Sequence, residues 1–358
     1  MLGSPATLGR GVALRSSNHV RELITCLIGF DEVSMRRREF ISLIAGAGTW
    51  PFAVRAQPNM PVVGFLNSLS SVETSYVVAA FRNGVAQAGL VEGESLRFEF
   101  SYADGLYQRL PAMAAEFVRR NVAVIVAGGP PAALAAKAAT ATIPIVFVVG
   151  FDPVVAGLVA SYNRPGGNAT GVCLITSPLA QKRLELLFEL LPKARIISML
   201  VNPTFQDTAI EVQDARTTAN ANGRQLRTVN AGTPPEIDSA FALIREQGAE
   251  ALIVASDPFL LTQREQLAEL AGRHRIPAVY PFREYVAAGG LMSYGPSLAG
   301  AYSQAGIYAG RILKSEKPAD LPVIQPTTFE MVINLVIAKS LGIVVPTTML
   351  ARADELIE

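Results

Sequence analysis

Short apolar runs and longer stretches of helical periodicity alternate along most of the chain. Residues 145–149 (IVFVV) have the composition of a buried strand. Residues 76–90 carry apolar side chains at the three- and four-residue spacing of an amphipathic helix. Strands that alternate with helices predict parallel sheets with helices on both faces, so the sequence predicts an α/β fold.

One phrase of sequence occurs twice. Residues 125–130 (IVAGGP) precede a helical stretch and then residues 143–147 (IPIVF). Residues 253–258 (IVASDP) likewise precede a helical stretch and then residues 276–280 (IPAVY). Each copy is typical of a buried strand, a polar turn, a helix and the next strand. The repetition predicts two similar α/β lobes, and the cleft between such lobes is a suitable place for a small ligand.

The predicted elements fall into two series and a final group. The first series has strands at 61–66, 96–102, 122–127 and 145–149 and helices at 76–90, 110–119 and 131–141. The second has helices at 178–191, 207–222, 235–247 and 261–274 and strands at 196–201, 225–229, 251–255 and 278–280. The final group has strands at 291–296 and 327–333, helices at 302–313 and 334–341, and a tail. Because this group exceeds what a second lobe needs, we expect the chain to return to the first lobe and cross back.

Residues 163–171 (NRPGGNATG) interrupt the alternation. Gly, Pro and Asn are concentrated there, which predicts a loop that approaches the first passage between the lobes. We therefore predict a first lobe of residues 57–171 plus 294–323. The second lobe, with the tail, would hold residues 172–293 plus 324–358.

Composition removes several classes of function. The chain has 358 residues, of which 50% are hydrophobic and 17% charged, as in a well-packed globular protein. Its net charge of +1 gives no indication of binding to nucleic acid or to an anionic membrane surface. The two cysteines, Cys26 and Cys173, lack metal-ligand spacing, and His19 and His274 are the two histidines of the chain. We therefore expect no metal site, no cofactor and no catalytic activity.

The N-terminal region has the order of an export signal. Residues 35–41 (MRRREFI) are basic, residues 41–50 are mostly apolar, and small side chains stand at Val54 and Ala56. The pair Arg37-Arg38 resembles a twin-arginine signal. The apolar run is too short for a permanent transmembrane helix, and no cysteine for a lipid anchor stands at the cleavage point. We expect cleavage near Ala56 and a periplasmic location.

Residues 1–34 do not fit this signal. They precede Met35, which would itself be a sensible initiator, so we interpret them as an over-extended N-terminus. The mature chain would begin near Gln57 and keep Cys173 as its single cysteine, which excludes an internal disulfide.

Candidate ligand-binding residues follow the predicted strands. In open parallel sheets, ligands bind beyond the carboxyl ends of the strands, where loops and helix N-termini meet. The candidates in the first lobe are Asn67, Ser68, Tyr102, Gly128, Gly129, Phe151 and Asp152. Those in the second lobe are Asn202, Ser256, Asp257 and Glu284, and a strand between the lobes adds Ser293 and Tyr294.

The glycine and aspartate candidates each have both a ligand-binding and a purely structural interpretation. Gly128 and Gly129, before Pro130, form either a cradle for a ligand carboxylate, helped by Ser68, or simply a tight turn. Asp257 either accepts bonds from a ligand ammonium or caps the helix that follows it. The same two interpretations hold for Asp152.

The remaining charged and aromatic candidates are also ambiguous. Glu284 and Arg283 contact a ligand or lie in solvent, and an Arg283 guanidinium would suit a carboxylate. Five aromatic side chains form either an apolar ligand pocket or core packing: Tyr102, Phe151, Phe259, Tyr280 and Tyr294. His274 is interpreted as a favourable cation at a helix C-terminus and Cys173 as a small core residue.

Five phrases in order carry a family resemblance. They are residues 150–154 (GFDPV), 163–171 (NRPGGNATG), 256–259 (SDPF), 289–295 (GGLMSYG) and 350–355 (LARADE). With them, residues 57–358 resemble the ABC-transporter substrate-binding proteins of the family that includes tryptophan- and tyrosine-binding members. The resemblance implies a type I periplasmic binding-protein fold: two Rossmann-like lobes, a three-strand hinge, and a ligand in the cleft. It also implies an aromatic or branched amino acid as the solute.

The leading hypothesis is the solute-binding protein of an ABC importer. A monomer would close around its solute and then dock on the transmembrane subunits of a permease. One alternative is a periplasmic sensor that passes occupancy to a membrane receptor. Another is an exported enzyme on the same scaffold, although the sequence has no recognisable nucleophile with a base. A DNA-binding repressor is disfavoured, because an export signal stands where the helix-turn-helix would be.

Overall fold

A computed structural model describes residues 60–174, 179–205 and 207–358. The predicted over-extended segment 1–34 and the predicted export signal 35–56 lie outside these residues. Asn59–Glu358 forms one compact unit. In the described ranges, no helix has the length and apolar character that crossing a membrane requires.

The first sheet is entirely parallel. Its order is β2-β1-β3-β4-β5, so the chain starts near one edge and moves to the other. The strands are β1 Val62–Asn67, β2 Arg97–Tyr102, β3 Val124–Gly128, β4 Ile145–Val149 and β5 Ala169–Cys173. Every residue of β3, β4 and β5 is buried, which explains why these strands are apolar on both faces rather than alternating.

The second sheet is parallel except at one pair. Its order is β12-β11-β10-β9-β8-β6-β7, and β10 and β11 run antiparallel. The strands are β6 Ile196–Val201, β7 Gln225–Asn230, β8 Ala251–Val254, β9 Ala278–Tyr280, β10 Met292–Gly295, β11 Glu330–Asn334 and β12 Glu355–Ile357. The antiparallel pair arises because the chain enters β11 after an excursion to the first lobe.

Helices connect and cover these strands. Those of the first series are α1 Ser75–Gln87, α2 Leu110–Arg119 and α3 Pro130–Ala139. Those of the second are α4 Leu179–Leu190, α5 Thr208–Ala221, α6 Pro234–Glu246, α7 Pro258–Thr262, α8 Arg264–Arg273 and α9 Arg283–Ala287. The last group comprises α10 Leu298–Leu313, α11 Leu335–Leu341 and α12 Thr347–Leu350. Short 3-10 turns occupy Tyr107–Arg109 and Pro318–Asp320.

The chain passes between the two lobes three times. It leaves the first sheet after β5, returns from β10 into α10, and crosses again before β11. Helix α10 packs on α1, β3, β4 and β5 and therefore belongs to the first lobe. On the way back, Ile324 pairs with Val172 beside β5. Two lobes with parallel-dominated sheets and three connecting segments confirm the predicted fold class.

Some element predictions were wrong. The loop predicted at 163–171 ends in a strand, β5, whose Gly171 passes so close to β4 that a Cβ would lie 2.0 Å from the Phe147 carbonyl oxygen. Glycine there thus permits close strand packing rather than a turn. The predicted helix 261–274 is two helices that meet at Gln263, and part of the predicted tail is β12. Helix α10 begins before residue 302, because Ser297 caps it by accepting a bond from Gly300 N–H.

Candidate functional site

A cavity lies between the carboxyl ends of the two sheets. It contains about 690 Å³ of space free of protein atoms, counted to its opening to solvent. Residues of both lobes line it: Asn67, Ser68, Leu69, Glu73, Thr74, Tyr76, Val77, Gly128, Gly129, Pro130, Val148, Gly150, Leu174, Phe205, Ser256, Asp257, Pro258, Leu261, Phe282, Leu298 and Tyr302. Most of this lining is apolar or aromatic, with a few polar groups at fixed positions, as in small-molecule sites.

The first-lobe wall is held by hydrogen bonds between strand ends. Ser68 donates both its backbone N–H and its hydroxyl to the Gly128 carbonyl oxygen, at 3.3 and 3.4 Å. Asn67 Oδ1 accepts from Leu69 N–H at 2.9 Å, and Asn67 Nδ2 donates to the Tyr302 hydroxyl at 3.4 Å. A Cβ on Gly128 would lie 2.3 Å from Asn67 Nδ2, so any larger residue at this point would displace a neighbouring side chain.

The two glycines do not present a row of free N–H groups. Gly129 has φ +91°, and its N–H donates to the Val148 carbonyl oxygen at 3.0 Å. Pro130 and Pro131 have no N–H to offer. Because Gly129 turns the chain sharply into α3, the tight-turn interpretation accounts for both glycines.

The N-terminus of α1 offers more to an anion. Thr74, Tyr76 and Val77 line the cavity at the first turn of this helix. The backbone N–H groups of Tyr76 and Val77 make no hydrogen bond within the described part of the chain. Free N–H groups at a helix N-terminus, with the partial positive charge of the helix behind them, suit a carboxylate.

The second-lobe wall centres on Asp257, just beyond β8. Asp257 is 2% exposed; its Oδ1 accepts from Leu260 N–H at 2.8 Å and its Oδ2 from Asn202 Nδ2 at 3.2 Å. Burial raises the pKa of this carboxyl to about 6, although both hydrogen bonds oppose the shift. Asp257 therefore caps α7 and also lines the cavity, so its two interpretations are not exclusive.

A buried ion pair lies behind Ser256 and Asp257. Arg183 on α4 and Glu211 on α5 are 0% and 2% exposed, and Arg183 Nη2 donates to Glu211 Oε1 at 2.8 Å. Burial lowers the pKa of Arg183 and raises that of Glu211, and in each case the attraction of the partner opposes the shift. In the sequence, Arg183 and Glu211 look like ordinary charged residues on amphipathic helices. No local pattern therefore identifies them as a buried pair.

The family model described as ABC transporter substrate binding protein matches residues 63–357. The chain belongs to this family. Its membership confirms the resemblance noted in the five sequence phrases.

Three individual proteins are similar to this chain over most of its length. A tyrosine-binding protein of Clostridioides difficile is 28% identical over 254 residues, which cover 71% of this chain and 73% of that protein. A conserved domain protein from Vibrio cholerae has a TM-score of 0.77 and 28% identity, over 83% of this chain and 99% of that structure. An ABC domain from Streptococcus pneumonia in complex with L-Trp has a TM-score of 0.76 and 25% identity, over the same shares of the two chains.

The cavity of this substrate-binding protein contains six of the predicted site residues: Asn67, Ser68, Gly128, Gly129, Ser256 and Asp257. Two more lie directly behind its wall. Asn202 holds Asp257, and the Glu284 carboxyl lies beside the Tyr76 hydroxyl, where burial raises the pKa of both groups. Asn202 and Glu284 thus support lining residues instead of lining the cavity.

The other first-lobe candidates do not line the cavity. Tyr102 ends the edge strand β2, and its ring stacks on Phe100 with centroids 6.1 Å apart. The Phe151 side chain is buried in the first-lobe core. Asp152 is exposed, and its Oδ1 accepts from Val154 and Val155 N–H at 2.8 and 3.3 Å, which makes it the cap of its own turn.

The candidates on β10 are also directed elsewhere. Ser293 is buried in the sheet beside Tyr280. The Tyr294 ring packs 6.0 Å from that of Phe329. Arg283 forms an ion pair with Glu355 of β12. Of the remaining aromatic candidates, Tyr280 stacks on Tyr285 and Phe259 packs against the core, as the core interpretation predicted.

Several lining residues were missed by sequence reasoning. Glu73 and Thr74 immediately precede α1, and Tyr76 lies in its first turn. The strand-end rule would have included them only if it had been extended through the whole loop after β1 into the next helix. Phe205 similarly follows β6. Tyr302 had no such indication, because it lies within α10 and reaches the cavity only after the chain has returned to the first lobe.

Proposed function

We propose that this substrate-binding protein serves an ABC importer and captures an aromatic amino acid, as a zwitterion, in the interlobe cavity. Branched amino acids are the next candidates. The observation that carries the proposal is the carboxyl of Asp257, which is buried in the wall of a largely apolar cavity. In the described residues, no Lys or Arg lies within ion-pair distance of it.

A ligand ammonium would compensate the charge of Asp257. An ionised carboxylate without a cation is costly to bury, which is why its pKa is raised. The neighbouring Glu211 is already paired with Arg183, so that pair is neutral as a whole. The second-lobe wall therefore carries an uncompensated negative charge at Asp257, which favours a cationic group.

The opposite end of a zwitterion has a suitable place on the first lobe. The free N–H groups of Tyr76 and Val77 would receive the ligand carboxylate at the start of α1. This position replaces the cradle predicted at Gly128 and Gly129, because the Gly129 N–H already donates to the Val148 carbonyl oxygen and Pro130 has no N–H. Placing the two charges on opposite lobes would let the ligand itself join the lobes, which is what closure requires.

The ligand side chain would contact the aromatic part of the lining. Phe205 and Phe282 come from the second lobe, and Tyr76 and Tyr302 from the first. Aromatic rings contact one another favourably in offset or edge-to-face arrangements, which supports an aromatic side chain over a small one. The names of two relatives support the same class, since one is a tyrosine-binding protein and the other holds L-Trp.

Delivery and location complete the proposal. The predicted signal at residues 35–56 supports export to the periplasm, with cleavage near Ala56, where a monomeric binding protein would load its solute. Family membership supports the transmembrane subunits of an ABC permease as its partner. The loaded protein would present the closed arrangement of its lobes to that permease.

Calorimetric titration of refolded, ligand-stripped protein tests the proposal. We expect L-tyrosine, L-tryptophan or L-phenylalanine to bind and, at about 100 times the dissociation constant, to add about 2.7 kcal/mol to the free energy of unfolding. Tyramine, which lacks the carboxylate, should bind more weakly, and 3-(4-hydroxyphenyl)propionate, which lacks the ammonium, weakest of all. If no amino acid produces heat or stabilisation, the solute assignment is wrong.

Transport is tested separately in cells. Removal of this chain should abolish uptake of the radiolabelled ligand, and the wild-type chain should restore it. A variant that cannot bind the ligand should not restore this uptake. Unchanged uptake without the chain would contradict the importer role and favour a sensor.

A further inference from the structure

We infer that Arg183 and Glu211 form a positioning pair that fixes the turn Ser256–Asp257 and sets the charge of Asp257 at the ligand site. The inference deepens the proposed function and rests on it for the role of Asp257. Neither residue lines the cavity. Their effect on a ligand would therefore pass through the two residues that do.

Ser256 is held from three directions. Its backbone N–H donates to both carboxylate oxygens of Glu211, at 3.2 Å for Oε1 and 3.0 Å for Oε2. Its hydroxyl accepts from Arg183 Nη1 at 3.1 Å and lies 3.3 Å from Glu211 Oε1, to which it donates. These bonds leave Ser256 little freedom, and the next residue along the chain is Asp257.

The pair connects three separate elements at the cavity edge of the second sheet. Arg183 lies on α4, the first helix after the chain enters the second lobe, and Glu211 lies in the first turn of α5. Ser256 follows β8. The bonds thus fix α4 and α5 against the strand end that carries Asp257. On the other side of Asp257, Asn202 after β6 supplies the second fixed contact.

A buried ion pair is a weak source of stability. Removing two charges from water costs about as much as their attraction returns, and apolar replacements of similar volume are often neutral or stabilising. Retention of such a pair is better explained by a task that apolar side chains cannot perform. Here that task is to hold a polar turn in one orientation, which Met or Leu at these positions could not do.

The pair also controls the electrostatic environment of Asp257. The charge of Glu211 raises the pKa of the Asp257 carboxyl, in addition to the larger effect of burial. Among the residues that the structure describes, the hydroxyls of Tyr107, from the first lobe, and Tyr285, from α9, also face Asp257. Arg183 faces both Glu211 and Tyr285. The positive charge of Arg183 opposes the effect of its partner Glu211, which nevertheless still raises the pKa of Asp257.

Four variants separate charge from geometry. Glu211→Gln removes the negative charge and leaves that of Arg183, whereas Arg183→Met does the reverse. Arg183→Lys keeps the charge but loses the fork that contacts Ser256 and Glu211 together. The double variant Arg183→Met/Glu211→Met removes both charges, and we expect it to fold, because it leaves no unpaired buried ion.

The first readout needs no ligand. Carbon-13 NMR of the Asp257 carboxyl in the full, ligand-free chain should show a titration midpoint about one pH unit lower in Glu211→Gln and higher in Arg183→Met. Arg183→Lys should titrate near the wild-type midpoint. A residue with only a packing role would not move the midpoint in opposite directions. Midpoints that coincide in the four variants and the wild type would overturn the inference.

The second readout is affinity for the amino acid that binds the wild type most tightly. We expect the double variant to unfold at a denaturant midpoint close to that of the wild type and to bind about tenfold more weakly or worse. Wild-type affinity in the double variant would overturn the positioning role. If the wild type binds no amino acid, the proposed function fails, yet the NMR titration still decides the electrostatic role of the pair.

Discussion

Asn202 Nδ2 donates a hydrogen bond to Asp257 Oδ2 at 3.2 Å, between loops that follow β6 and β8. The Asn202 amide cannot turn over easily, because its Oδ1 accepts from the backbone N–H of Thr204 at 3.1 Å and from the Thr204 hydroxyl at 2.8 Å. Residue 257 must therefore present an acceptor to Asn202 and another to Leu260 N–H. A carboxylate does both and still has lone pairs to offer the cavity.

The first prediction concerns the charge of that residue. In Asp257→Asn, one side-chain oxygen becomes an NH₂ group. In one orientation this group faces the Asn202 donor; in the other it faces Leu260 N–H, and the cap of α7 is lost. The negative charge that we assign to the ligand ammonium is also lost. Charged hydrogen bonds contribute about 1.5–3 kcal/mol, so we expect affinity to fall about tenfold to a hundredfold in calorimetric titration.

Asp152→Asn is the matched control for this change. Asp152 was a sequence-predicted site residue, but it is exposed and caps a turn outside the cavity lining, a task that Asn performs equally well. The affinity of the Asp152→Asn variant for the ligand should equal that of the wild type. An equal loss in both variants would point to the overall charge of the lobes rather than to a specific contact of Asp257.

The second prediction is a pH dependence with opposite signs for binding and folding. Because burial raises the pKa of Asp257 to about 6, the carboxylate becomes neutral as the pH falls through that value. A ligand ammonium needs the ionised form, so affinity should fall about tenfold between pH 7 and pH 5. Titration calorimetry across this range measures the change, and a flat profile would exclude Asp257 as the ammonium partner.

Stability of the ligand-free protein should respond in the other direction. The folded protein holds the Asp257 proton more tightly than the unfolded chain does, since the folded pKa lies above the ordinary value of 3.8. The resulting stabilisation is present below about pH 4 and is lost as the pH rises through about 6. Comparison of wild type with Asp257→Asn in denaturant, at pH 4.5 and pH 7.5, isolates this contribution from those of other groups.

Sequence reasoning found the part of the site that follows a local rule. Ser68, Gly128 and Asp257 stand at or shortly after the ends of strands that are recognisable by their apolar runs, and parallel strands bring such ends to one edge. The rule also selected Phe151 and Asp152, which follow β4 equally closely. Which of the strand-end side chains face the cleft depends on the direction that each loop takes, and local sequence does not specify that direction.

The contribution of α10 and of the buried pair could not be predicted in this way. Tyr302 contacts Asn67 across 235 positions, and only the return of the chain to the first lobe brings the two together. Arg183 and Ser256 are 73 positions apart and meet in the interior of the second lobe. Charged residues on amphipathic helices usually face solvent, so their burial becomes apparent only from the packing of α4 against α5 and β8.

The third prediction tests the first-lobe wall. In Gly128→Ala, the added Cβ would lie 2.3 Å from Asn67 Nδ2 and 2.6 Å from the Tyr302 hydroxyl, so at least one of these lining side chains must move. We expect a loss of about 1–3 kcal/mol in the free energy of unfolding and weaker ligand binding. Gly300→Ala is the control, because that glycine is exposed at the start of α10 and its Cβ would meet only Ser297, at 3.4 Å. Unchanged binding in Gly128→Ala would show that this part of the wall does not contact the ligand.

The fourth prediction concerns the contact between α1 and α10. These helices approach so closely that a Cβ on Gly306 would lie 2.2 Å from the Phe81 carbonyl oxygen, and one on Gly84 would lie 1.8 Å from that of Ser303. Backbone atoms cannot rotate away as side chains can, so Gly306→Ala must push the helices apart. We expect the free energy of unfolding to fall by about 1–3 kcal/mol or more in chemical denaturation.

Moving the two helices apart should also weaken ligand binding. Helix α1 carries Tyr76 and α10 carries Tyr302, and both line the cavity, so moving one helix relative to the other changes the first-lobe wall. Gly272→Ala provides the comparison, since a Cβ there has no neighbour within 4 Å and alanine favours the helix by about 1 kcal/mol. That variant should be as stable as the wild type or more so, with the same affinity. If Gly306→Ala lost stability but bound the ligand normally, the contact between the two helices would support the fold without shaping the site.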